Sequence, residues 1–75
     1  MKSKEIEDEL QKVFTDGEIK ALDLTGGGDH WQVTIRSSMF VGKSLVEQHQ
    51  MVYAVLGKWV NNRDIHALAL NTSPK

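Results

Sequence analysis

The sequence predicts a small α+β domain of order α-β-β-α-(α)-β, with helices covering one face of a three-stranded mixed sheet and the other face partly open. Three observations predict it. Residues 30–37 alternate apolar and polar directly after a glycine-rich turn. A capping box followed by an apolar helical stripe lies between that segment and a last apolar run. The chain has 75 residues, enough for one modest core in one domain.

The elements follow in order. Ser3 is placed to cap a first helix, with Glu5 in the favoured acidic first turn. Ile6, Leu10, Val13 and Phe14 form one stripe, and Asp16-Gly17 stops it, so the helix is expected over 3–14. Residues 18–24 carry Ile19, Ala21, Leu22 and Leu24 and read as a strand. Thr25-Gly26-Gly27-Gly28-Asp29 is a turn, and Trp31, Val33 and Ile35 then alternate with Gln32, Thr34 and Arg36. The two strands read as an antiparallel hairpin. A loop over 38–43 leads to Ser44 and Glu47, spaced as a capping box. The helix behind it carries Leu45, Val52, Val55, Leu56 and Trp59 along one face. Gly57 weakens its interior by roughly 1 kcal/mol relative to alanine and offers a point of division into two helices. After the polar turn 61–64, residues 65–70 are expected as the last strand and 71–75 as a tail. Strands two and three, joined through helix, would be parallel.

Composition limits the chemistry. There is no cysteine, so the chain makes no disulfide and offers no thiolate of its own to a metal. Nine Lys and Arg stand against ten Asp and Glu, without the basic excess of a non-specific nucleic-acid binder. No apolar run of signal-peptide or membrane-span length is present, so the protein is expected to be soluble and cytoplasmic, with no membrane partner. Gly42-Lys43-Ser44 matches the end of a phosphate-binding loop, but Ser37 stands where that motif needs its first glycine. The glycine triplet lacks the strand–turn–helix setting of a dinucleotide site. No serine nucleophile comes with a base and no carboxylate pair is marked by spacing, so an enzymatic reading has no positive support. Trp31 and Trp59 fall on core faces, whereas Phe40, in a loop, is a candidate for exposure to a partner.

Two histidines stand out. His30 opens the second strand and His66 lies near the start of the third; parallel pairing would bring both to one end of the sheet. Imidazole is the commonest metal-ligating side chain. Zinc and iron–sulfur sites want about four ligands, so a metal here would have to be shared with another molecule. The alternative is a loop histidine beside a glycine turn and a half-buried strand histidine with a backbone partner. His49, between Leu45 and Val52 on its helix, reads as a packing or hydrogen-bonding residue.

Several strings resemble the BolA family. Met39 to Tyr53 is similar to its FxGKSLxxRHRxVY signature, Ile65 to Thr72 to its IHALxLxT end, and Gly28 to Val33 to its loop-then-strand segment. The resemblance implies an α-β-β-α-α-β fold similar to type II KH domains. It implies partnership with a monothiol glutaredoxin of the CGFS type, sharing a [2Fe–2S] cluster with a glutaredoxin cysteine and glutathione. Its C-terminal histidine matches His66 and its loop His or Cys matches His30. The resemblance thus points to a non-enzymatic adaptor in iron–sulfur trafficking or iron and redox regulation, binding no cluster alone and standing alone as a monomer or weak dimer. The basic RHR of the family is Gln48-His49-Gln50 here, which removes two positive charges, and the tail is expected to end at Ser73-Pro74-Lys75 without the longer extension that many members carry. The second reading is a KH-like transcriptional regulator that binds DNA. Arg36 and Lys43 would touch phosphates, although Val41-Gly42-Lys43-Ser44 has only one glycine of the GxxG clamp. A third is a scaffold whose open sheet face binds another protein.

Overall fold

The first helix, α1 (Ser3–Gln11), turns Ile6 and Leu10 into the interior, where both are fully buried. Its cap is Lys2 rather than Ser3: the Lys2 amide donates to Glu5 Oε1 at 2.9 Å. The helix ends before Phe14 because the Gln11 side chain closes the following turn, donating to the Phe14 carbonyl at 2.9 Å and the Gly17 carbonyl at 3.2 Å. The computed structural model describes residues 1–75.

Strands β1 (Glu18–Asp23) and β2 (His30–Ser37) pair antiparallel, from Glu18 opposite Arg36 to Asp23 opposite Trp31. The Asp23 carboxylate organises the turn between them, accepting from the amides of Gly26 and Gly28 at 2.9 Å each. Gly28 sits at φ 77°, and a Cβ there would lie 2.8 Å from the Met1 carbonyl oxygen, so no larger residue fits. A 3₁₀ turn, Ser38–Phe40, leads on to α2 (Leu45–Asn61). Its capping box is formed as expected: Ser44 Oγ accepts from the Glu47 amide, and Glu47 Oε1 accepts from the Ser44 amide. Gly57 does not divide this helix, which runs unbroken for 17 residues because Val52 and Leu56 anchor it in the core. The order is therefore α-β-β-α-β.

The third strand, β3, is Ala67–Pro74 rather than 65–70. It pairs parallel to β2 from His30 opposite Ala67 to Ser37 opposite Pro74, so the expected tail is strand and the full length of β2 is used. Ile65 precedes the strand and is buried in the core instead. Strand order is β1-β2-β3. Trp31, Val33 and Ile35 face the helices and pack with Ile6, Leu10, Phe14, Phe40, Val52, Leu56 and Ile65. Lys20, Leu22, Gln32, Thr34, Arg36, Ala69 and Asn71, on the other face, are exposed. Three burial expectations change. Val13, placed on the stripe of the first helix, lies past the end of α1 and is exposed. Phe40 is fully buried, its ring 5.1 Å from that of Phe14, because the 3₁₀ turn folds it back under the sheet. Leu45, in the first turn of α2, is exposed, while Gln48 one turn later is buried. Every buried side-chain polar atom has a partner. No helix is long and apolar enough to cross a membrane.

Candidate functional site

The parallel pairing of β2 with β3 sets the site. His30 is the first residue of β2, and its partner across the ladder is Ala67, the residue after His66. The two imidazoles, 36 positions apart in the chain, consequently have ring centres 6.0 Å apart with planes inclined at 60°. Both side chains are about half exposed, at 41% and 53%.

Asp29 joins them, and the sequence reading passed over it as part of the turn. Its Oδ1 is 2.9 Å from His30 Nδ1, and its Oδ2 is 3.8 Å from His66 Nδ1. Its carbonyl accepts from the amides of His66 at 2.7 Å and Ala67 at 3.2 Å, which staples the start of β3 to the turn before β2. The His30 hydrogen bond, with the charges of His30 and His66 adding to it against partial burial, holds the Asp29 carboxyl below its ordinary range. It is an ionised acceptor between two imidazoles. An acidic residue immediately before a candidate ligand histidine was the available signal.

The approach to His66 is also shaped. Arg63 adopts the left-handed conformation, φ 69°, at the position after the α2 C-cap where glycine is usual. Its amide donates to the Val60 carbonyl at 3.2 Å, and the Ile65 amide to the Trp59 carbonyl at 3.0 Å. This reverses the chain sharply and delivers His66 to the sheet end, at a backbone cost of roughly 1–2 kcal/mol.

The chemistry of the donor set is definite. Two imidazoles meet here, no third His, Cys, Asp or Glu side chain completes a metal cage, and the chain has no cysteine. Two histidines on one iron of a [2Fe–2S] centre is an established ligand set, provided thiolates serve the other iron. His30 and His66 could offer two nitrogen ligands to such a centre, and its thiolates would have to come from another molecule, because the chain has no cysteine.

The remaining candidates lie elsewhere. Arg36 is on the open sheet face with its Nη1 donating to Glu18 Oε2 at 3.1 Å, so its charge is paired. Lys43 is exposed before α2 and lines a shallow groove with Glu47, Gln50, Met51 and Ala54. These two cations are not gathered into one patch with the histidines. His49 is half-buried on α2.

Comparison with known proteins decides the family. The family model described as BolA-like protein matches residues 1–75. The chain belongs to the BolA family. Among relatives of this BolA-like chain, it is 34% identical over 70 residues to an uncharacterized protein, RP812, of Rickettsia prowazekii, covering 93% of this chain and 90% of the other. It is 29% identical to the acid stress protein IbaG of Escherichia coli, covering 93% of this chain and 80% of that one. Among solved structures, BolA1 from Arabidopsis thaliana superposes with a TM-score of 0.86 at 26% identity, covering 96% of this chain and 89% of that one. The BolA domain of SufE1 from the same plant gives 0.85 at 28% identity, covering 96% and 90%. The α+β fold read from the sequence is that of these structures.

Proposed function

We propose that this BolA-like protein is a non-enzymatic adaptor that binds a monothiol glutaredoxin of the CGFS type and shares a glutathione-ligated [2Fe–2S] cluster with it. The process served is iron–sulfur trafficking or iron and redox regulation. The observation that carries the reading is the pairing of His30 and His66 around Asp29 in a chain without cysteine. Two half-exposed imidazoles supply borderline nitrogen donors suited to iron and leave the thiolates to a partner. The cluster, when bound, would supply one-electron redox chemistry and a transferable iron–sulfur unit. On this chain, His30 and His66 would hold it, Asp29 would orient the rings, and the Asp29 carbonyl would keep the two strand ends together.

The test is to mix the purified protein with a CGFS glutaredoxin, glutathione and an iron–sulfide source, and to record visible absorption and circular dichroism. The expected result is a spectrum distinct from that of the glutaredoxin homodimer and a complex on a sizing column. His66→Ala should abolish the distinct spectrum while leaving the apo fold intact, because His66 is exposed and outside the core. A mixture giving only the homodimer spectrum and no complex would sink the reading. The next measurement would then be salt-dependent DNA binding with Lys43→Glu as its control.

A further inference from the structure

We propose that Asp29 is a positioning residue for both imidazoles, its one carboxylate holding His30 and His66 protonated on Nδ1 so that both Nε2 lone pairs face outward to a metal. The use of those lone pairs rests on the shared-cluster reading; the tautomers do not.

The argument starts from what a carboxylate can do. An ionised carboxylate only accepts hydrogen bonds, so a ring nitrogen held against it carries the hydrogen. Asp29 presents one oxygen to each ring: Oδ1 at 2.9 Å from His30 Nδ1 and Oδ2 at 3.8 Å from His66 Nδ1. A neutral imidazole has one N–H, so fixing it on Nδ1 leaves Nε2 as the only atom able to ligate. A ligating histidine whose other nitrogen donates to a carboxylate is the usual arrangement in metal sites, and here a single residue serves two rings. The backbone makes this possible. Because the Asp29 carbonyl accepts from the His66 and Ala67 amides, residue 29 fixes the position of the second ring as well as that of its neighbour. The contacts are unequal. His30 is within hydrogen-bond distance, whereas His66 at 3.8 Å is beyond it, and only the weaker attraction between the carboxylate and a ring N–H dipole favours Nδ1–H there, so its tautomer is the less completely fixed. The spacing suits one ion: imidazoles bound at ~2.0–2.1 Å to a tetrahedral metal have ring centres about 5 Å apart. The observed 6.0 Å lies within about 1 Å of that spacing.

The experiment uses the apo protein alone, uniformly ¹⁵N-labelled, at about pH 8.5, roughly two units above the ordinary imidazole pKa. Long-range ¹H–¹⁵N correlation spectra read which ring nitrogen carries the proton. His30 should be wholly, and His66 mostly, of the Nδ1–H form, with His49 as the internal reference for an imidazole away from Asp29. Asp29→Ala should return both rings to the distribution of His49. Asp29→Asn, the fallback if the alanine variant does not fold, keeps one acceptor oxygen and should hold His30 while releasing His66. A wild-type His30 protonated on Nε2 would overturn the proposal. So would tautomers of both rings that stay unchanged in either folded variant. The outcome is separable from the fate of the functional reading. Correct tautomers with no cluster in the glutaredoxin mixture would remove the function and leave the positioning role. A cluster formed on rings that were Nε2–H in the apo protein would do the reverse.

Discussion

Asp29 and Asp16 are both turn aspartates, and each acts as an acceptor between segments distant in sequence. The Asp29 carboxylate lies between two imidazoles, and its carbonyl accepts from the His66 and Ala67 amides. Asp16 accepts from the Ser37 hydroxyl at 2.7 Å and the Ser38 amide at 3.0 Å, tying the turn after α1 to the end of β2. Hydrogen bonds from Ser38 and then Ser37 lower its pKa from the ordinary 3.8 to about 2. The sign of the linkage follows. The unfolded chain takes up this proton first, so the stabilisation is complete above about 3.8 and is lost as pH falls toward 2. Asp16→Asn should therefore have a lower urea midpoint than wild type at neutral pH, and the gap should close between pH 4 and pH 2. A gap that stays constant down to about pH 2 would show that the carboxylate charge is not what matters.

Helix α2 shows how an element overrides one of its residues. Gly57 is a poor helix former, yet the segment stays helical because Gln48, Val52 and Leu56 bury one face. A Cβ added at Gly57 would meet nothing within 4 Å. Gly57→Ala should accordingly raise stability by about 1 kcal/mol, read as an upward shift in the thermal midpoint with the fold unchanged. The same helix is joined to β3 by a buried polar contact: the Thr72 hydroxyl donates to Gln48 Oε1 at 2.7 Å, and Gln48 Nε2 donates to the Lys43 carbonyl at 2.9 Å. Thr72→Val would strand the Gln48 oxygen and should cost about 1–3 kcal/mol in urea denaturation. Adding Gln48→Leu should cost less than the sum of the two single changes, because the pair acts as a unit. Gln48 was read from the sequence only as a position where a positive charge is lost; its burial against Thr72 gives it a structural role as well.

At the scale of the molecule, one core under one sheet face carries the stability. A domain of this length is expected to have roughly 4–11 kcal/mol in total. Phe40, fully buried against Phe14, should cost ~3–5 kcal/mol on truncation to alanine, a large share of that sum. Phe40→Ala should therefore lose near-ultraviolet circular dichroism from the buried Trp31 at much lower denaturant. A variant with an unchanged midpoint would return Phe40 to the role of a partner-facing side chain. The site sits at one end of this layered body, outside the core, so it can be altered without unfolding the chain.

The sequence by itself determined the α+β class, the alternating strand β2, the capping box of α2 and the two histidines. Each is a local signal: a period of two, a spacing of three, or a residue type at a strand opening. It did not determine where β3 lies, because Ile65 to Leu70 is apolar in both registers and only pairing with the whole of β2 selects Ala67–Pro74. Nor did it determine that Phe40 turns inward, that Leu45 stays outside, or that Asp29 stands between the histidines. Those depend on contacts between residues far apart in the chain. The order of elements foresaw that His30 and His66 would share one end of the sheet, but only the parallel ladder places Asp29 between them, and no pattern within either segment encodes that.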